Sequence, residues 1–163
     1  QEVTSTLLSE QTWTVSFPEG WGIDAPLTIT SLEPWHEMIS SAEGKAFSGT
    51  ATYRTTLHMD KVEKGANYTL QLGKVEMIAV VRLNGQELGT LWTEPYQANI
   101  TKALKKGDNT LEIDVTSSWF NRLVYDAGLP EADRKTWVIS GPRKEEKLRA
   151  NGLLGPVMVR MEK

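Results

Sequence analysis

Period-two alternation of apolar and polar residues runs through most of the chain. Trp13, Val15 and Phe17 fall on one face of an extended segment, with Thr12, Thr14 and Ser16 on the other. Ala51, Tyr53, Thr55, Leu57 and Met59 alternate with Thr52, Arg54, Thr56 and His58. Tyr68, Leu70 and Leu72 alternate with Thr69 and Gln71, and Leu111, Ile113 and Val115 with Glu112 and Asp114. Successive side chains of a strand point to opposite faces, so each segment predicts a strand with one buried face. Within 51–59, Tyr53, Leu57 and Met59 are expected inside, and Arg54 and His58 outside. The run Met77 to Leu83 is apolar everywhere except Arg82, which predicts a central strand buried on both faces. Asn84-Gly85 follows and predicts a type I′ hairpin into a partner strand from about Glu87 to Trp92. A last strand is expected from Pro156 to Met161.

Helical signal is confined to two places. Ser31 to Ile39 suggests a short helix with Ser31 as cap and Pro34 in the first turn. Thr101 to Leu104 suggests a single turn. Strands at short spacing with turns between them predict an all-β fold, a jelly-roll β-sandwich with one or two short helices. Residues 117–152 break the rhythm. An irregular stretch of that length in a compact domain is usually functional or mobile. Inside it, Arg143-Lys144-Glu145-Glu146-Lys147 reads as a solvated surface run.

Composition narrows the classes. A chain of 163 residues fits one domain over 1–163, large enough for a core without metal or disulfide staples. It has no cysteine, which removes thiol catalysis, disulfides and cysteine zinc sites. Lys plus Arg is 18 against 21 for Asp plus Glu, a net charge of -3, which disfavours a nucleic-acid partner. No apolar run approaches the ~18 residues of a transmembrane helix, so no membrane partner is expected. Six Trp outnumber the three Phe and the four Tyr, a bias that suits a recognition surface as well as a core. The chain begins at Gln1 with no Met and no signal peptide, and reads as a piece processed or excised from something longer.

An ordered succession of motifs carries a resemblance. Leu32-Glu33-Pro34-Trp35 is followed by Phe47-Ser48-Gly49-Thr50-Ala51-Thr52-Tyr53, then by Val81-Arg82-Leu83-Asn84-Gly85 with Leu88-Gly89. Trp92 and Pro95-Tyr96 lead to Ile100-Thr101 and Gly107-Asp108-Asn109-Thr110-Leu111. Trp119-Phe120-Asn121-Arg122-Leu123, Gly128-Leu129-Pro130 and Gly152-Leu153-Leu154-Gly155-Pro156-Val157 close the series. Together these resemble the sugar-binding, galactose-binding-like jelly-roll domain of family-2 glycoside hydrolases. They are most similar to the version at the C-terminal end of large rhamnosidase-like enzymes. The resemblance implies a non-catalytic ancillary domain of a bacterial glycoside hydrolase, periplasmic or extracellular, and monomeric. In that family the catalytic acid pair sits in a separate barrel, so no catalytic residue is expected here.

Sugar recognition needs a flat apolar face for the ring and planar polar groups for the hydroxyls. The 117–152 excursion supplies Trp119, Asn121, Arg122, Asp126, Arg134 and Trp137, with Tyr125 beside them. Arg122 and Arg134 are expected as planar donors and Asp126 as an acceptor. Trp21, between Gly20 and Gly22, is expected at an exposed loop tip, and Glu94 as the freest residue of its cluster. Each has a plainer reading as framework: capping the sandwich end, tying down the loop, or turning a corner. The partner is thus a glycan or the other domains of a parent glycoside hydrolase. No cofactor is expected. Related jelly rolls often carry one structural calcium, for which Glu19, Asp24 and Glu162 are the acids in roughly the right segments.

Overall fold

The computed structural model describes residues 1–163. In chain order the elements are β1 (Val3–Leu7), β2 (Trp13–Ser16), β3 (Leu27–Ile29), α1 (Trp35–Met38), α2 (Ala42–Lys45), β4 (Thr50–Met59), β5 (Asn67–Gln71) and β6 (Lys74–Glu76). They continue with β7 (Ile78–Leu83), β8 (Gln86–Leu91), β9 (Gln97–Asn99), β10 (Gly107–Thr116), α3 (Phe120–Ala127), a 3₁₀ turn (Glu131–Asp133), β11 (Gly152–Gly155) and β12 (Met158–Glu162). One sheet has four strands in the order β1-β12-β5-β9, and the other has six in the order β3-β2-β4-β10-β7-β8. A small pair, β11-β6, links their ends. All strand pairs are antiparallel, and an apolar core fills the space between the sheets.

The alternation sets the register. β4 and β10 pair along ten residues each at the middle of the larger sheet. Ala51, Tyr53, Thr55 and Leu57 are buried on β4, Met59 is half-buried, and Arg54 and His58 are exposed, as expected. Asn84 (φ 53°) and Gly85 (φ 80°) both take the positive φ that a type I′ turn requires, and the chain returns as β8.

The apolar run 77–83 differs from expectation. β7 lies next to the edge strand β8 and buries one face only: Ala79, Val81 and Leu83 are buried, while Ile78, Val80 and Arg82 are half-buried. Arg82 shows why this outer face stays open. Its two terminal nitrogens donate to Asp114 at 2.5 and 2.9 Å, and the Thr52 hydroxyl donates to the same carboxylate at 2.8 Å. These bonds, that of Arg82 foremost, hold the Asp114 carboxyl below its ordinary pKa.

The helical content also exceeds expectation. The first helix starts at Trp35, with Pro34 at its cap position in place of Ser31. A second, α2, is capped by Ser41, whose hydroxyl accepts from Gly44 N at 3.0 Å. The excursion itself contains the eight-residue α3. Its inward positions are Asn121, Arg122, Val124 and Asp126, three of them polar, so a search for apolar periodicity passes over it.

One exposed group gives this sheet a pH dependence. His58 Nδ1 lies 2.7 Å from Asp108 and its Nε2 lies 3.1 Å from Asp60. The Asp108 hydrogen bond first, then that of Asp60, raises the imidazole pKa above its ordinary 6.5. A folded-state pKa above the unfolded value stabilises the fold fully below pH 6.5, and the contribution is lost as pH rises through the folded pKa. An NMR titration is expected to place the His58 midpoint above 6.5, with Asp108→Asn lowering it. A midpoint at or below 6.5 in the parent protein would contradict the double acceptor arrangement.

Candidate functional site

The end of the sandwich that holds the helices is built on an aromatic knot. Trp35, Phe47 and Phe17 pack at centroid distances of 5.1 to 5.8 Å. Trp35 Nε1 donates to the Tyr53 hydroxyl at 2.7 Å, and the Leu153 amide donates to the same oxygen at 3.2 Å. Burial pushes the Tyr53 pKa up to about 12.

Upon this base α3 presents its polar inner face. Arg122 is fully buried: Nε donates to Asp126 at 2.9 Å, Nη1 to Glu43 at 2.8 Å, and its backbone N–H to Ser48 Oγ at 3.0 Å. Its guanidinium also stacks near the rings of Tyr125 (4.9 Å) and Trp21 (5.2 Å). Asp126, equally buried, uses its second oxygen for three donors: Lys135 N at 3.0 Å, Thr136 N at 2.8 Å and Thr136 Oγ1 at 2.5 Å. Asn121 exchanges two hydrogen bonds with the backbone of Arg149, at 2.9 and 2.8 Å. The helix therefore grips residues 135–136 with one side chain and residue 149 with another. The segment between them is a strap held at both ends, and it projects Trp137 (84% exposed), Val138 and Ile139 (89% exposed) into solvent.

The expected site residues separate into three groups. Trp21, Trp119, Arg122 and Asp126 come together in one cluster, with Asn121 on the same helix. Trp21 is not an exposed loop tip. It is half-buried, edge-on to Trp119 at 5.5 Å, and has Lys135 Nζ 4.8 Å from its ring. The Ser41 hydroxyl, which donates to Gly22 O at 2.7 Å, and the Lys135 ammonium, which donates to Gly20 O, turn that loop inward. Arg134 and Trp137 line a groove of about 550 Å³ between α3 and the strap, with Arg134 Nε held by Leu129 O at 3.0 Å. Glu94 lies apart, in a pocket that includes no residue of the excursion.

Glu43 was missed because its partner Arg122 is 79 residues away. Val138 and Ile139 were legible in principle, as three consecutive apolar residues with Trp137 inside a charged stretch. For a metal, no group of three or more His, Asp or Glu side chains is placed to hold an ion, and Glu19, Asp24 and Glu162 are not brought together. Glu162 instead pairs with Arg160 at 2.9 Å.

Comparison with known proteins gives a consistent result. Residues 41–150 match the family model described as glycosyl hydrolase 2 galactose-binding domain-like. A curated protein of Formosa agariphila, provisionally named a beta-glucuronidase, is 32% identical over 98% of this chain, which spans 16% of that protein's length. The rhamnosidase from Novosphingobium sp. PP1Y superposes with a TM-score of 0.87 at 36% identity, over 99% of this chain and 15% of its own. Ruminococcus gnavus beta-glucuronidase shares the fold, with a TM-score of 0.73 at 18% identity over 98% of this chain and 28% of its own. The aligned region is a small part of each relative and is not the catalytic domain. This chain belongs to the glycosyl hydrolase 2 galactose-binding domain-like family, as a non-catalytic β-sandwich domain of glycoside hydrolase-related proteins.

Proposed function

We propose that this domain braces a glycoside hydrolase by docking its strap onto another domain of the same polypeptide. The observation that carries the reading is how the side chains of 117–152 are used. Asn121, Arg122 and Asp126, the groups best suited to sugar hydroxyls, are buried and bonded to protein. Among what the segment exposes is one apolar run, Trp137, Val138 and Ile139, flanked by the exposed charges of 131–135 and 143–147. A loop clamped at both ends presents those side chains with much of its ordering entropy already lost, which favours association. The occupant is another domain because the relatives carry this unit as 15–16% of their length. Carbohydrate binding on the same face is a second reading. It is favoured by the groove beside Trp137, where the terminal nitrogens of Arg134 remain free.

The strap variant Trp137→Ser/Ile139→Ser tests the choice. In the 163-residue chain it is expected to change stability by no more than about 0.5 kcal/mol, since both side chains are exposed. Hydrogen exchange at 137–141 should be fast in the isolated chain and slow in the natural polypeptide with its catalytic domain. The variant should abolish that slowing. Equal exchange in both contexts would refute docking. Glycan binding by the isolated chain that Trp137→Ser removes would favour the second reading.

A further inference from the structure

The two sheets have four edge strands, β1 and β9 on the smaller and β3 and β8 on the larger. An edge strand presents unpaired backbone N–H and C=O groups to any other strand, and stable monomers blunt it by shortness, proline, charge or a bulge. Three of the four edges are blunted. β3 and β9 have three residues each, with Pro26 just before β3 and Pro95 two residues before β9. β8 carries Glu87 and shifts register against β7 between Val80 and Arg82. β1 has none of these devices. It runs Val3-Thr4-Ser5-Thr6-Leu7 without charge, proline or register shift, and all five residues are exposed.

The backbone fixes what that edge offers. Glu2 and Lys163 exchange both backbone hydrogen bonds, at 3.3 and 3.0 Å, and Leu8 N donates to Val157 O at 2.8 Å. Antiparallel bonds fall on alternate residues, so the even positions of β1 turn their backbone groups to β12. Val3, Ser5 and Leu7 aim theirs the other way, three N–H and three C=O groups in all. Such a set matches itself. When a second β1 lies antiparallel about a two-fold axis through Ser5, Ser5 pairs with its own copy and Val3 with Leu7. Every outward N–H of both strands then finds a carbonyl. The side chains match as well. The exposed Val3 and Leu7 meet across the axis on one face, and Thr4 meets Thr6 on the other. No like charges are opposed: Glu2 falls opposite Leu8, and Arg160, beside Ser5 on β12, is already paired with Glu162.

We infer that β1 is the contact of a reversible two-fold dimer of this chain, in which a second copy pairs β1 to β1 and joins the two four-stranded sheets into one. The pairing uses up the unguarded edge of both copies, so it closes at two and does not grow into fibres. Five residues a side bury less than a standard interface, which sets the dissociation constant on the order of 100 µM. No residue of the strap takes part, so this assignment and strap docking fail separately. Sedimentation velocity of the 163-residue chain from about 10 µM to about 1 mM should pass from monomer to dimer. Over the same range amide exchange should slow at Val3, Ser5 and Leu7 and stay unchanged at Thr4 and Thr6, whose N–H groups already face β12. Ser5→Pro removes an N–H that the monomer does not use, and should weaken the dimer about tenfold or more. Val3→Lys should also weaken it, and Val3→Lys/Leu7→Glu should restore it. Residues 3 and 7 lie about 13 Å apart within one strand and meet only across the axis. Preserved amide dispersion verifies that each variant is folded. A chain that stays monomeric at about 1 mM would overturn the assignment. So would a dimer that Ser5→Pro leaves intact, or a double variant that associates no more tightly than Val3→Lys. Slow exchange at Val3, Ser5 and Leu7 in the dilute natural polypeptide would give this edge to another domain, and would overturn it equally.

Discussion

Asp126→Ala is expected to cost about 3–5 kcal/mol of stability, because it strands the Arg122 charge in a buried site. For a chain of this size that corresponds to a fall of roughly 10 °C in Tm. The loss has two separable parts. One is the buried guanidinium, left with Glu43 as its single carboxylate partner, itself about one-third exposed. The other is the release of three donors at Lys135 and Thr136. The double variant Arg122→Met/Asp126→Leu removes the buried charges together and is expected to recover most of the Tm, as buried pairs replaced by apolar residues often do. It cannot recover the strap, since nothing then accepts from Thr136. Hydrogen exchange at 135 and 136 should stay fast in the double variant while the sandwich amides return to slow exchange. If Asp126→Ala melts within about 1 kcal/mol of the parent, a value typical of ordinary substitutions, the pair does not hold the segment.

The same pair explains what was legible in the sequence and what was not. Strands with one apolar face advertise themselves by period two, and β4 or β10 can be read residue by residue. The motifs behind the family resemblance are legible because they are the internal joints: Trp35, Phe47 and Tyr53 form the aromatic knot, and Asn84-Gly85 the hairpin. α3 was hidden because its core-facing residues are polar and their partners are remote. The partners are Glu43, the backbone of 135–136 and Arg149. Asn121, Arg122 and Asp126, which look like ligand groups in a list of residue types, are bonded to protein in the fold. β7 misled for the opposite reason. Its apolar outer residues Ile78 and Val80 are half-buried on the face that also carries the Arg82–Asp114 ion pair. The short strands β1 and β9 gave no usable pattern, the first being exposed at all five positions.

Gly152→Ala should be among the damaging single methyls in the chain. Residue 152 is where the strap re-enters the sandwich and begins β11, and its φ of +120° is one that side-chain-bearing residues rarely adopt. Holding such a conformation costs about 1–3 kcal/mol. A Cβ there would also lie 2.8 Å from Trp35 Nε1, 2.8 Å from the Tyr53 hydroxyl and 3.0 Å from Trp35 Cδ1. None of these atoms is the free end of a flexible chain. Both rings are buried, and each is fixed by the hydrogen bond between them. Wedging them apart adds an overpacking cost of about 1–3 kcal/mol, for a total on the order of 4 kcal/mol. Tyr53→Phe provides the contrast. It introduces no clash but orphans the Trp35 N–H and the Leu153 N–H, each worth about 1–3 kcal/mol when buried without a partner. Near-ultraviolet circular dichroism of Trp35 and Tyr53 with urea unfolding separates the two. Tyr53→Phe should keep the Trp signal and unfold earlier, whereas Gly152→Ala should lose the signal before the main transition. A Gly152→Ala protein with the parent's midpoint would mean that the strap can leave the knot without loosening it, and that the clamp on α3 alone fixes its course.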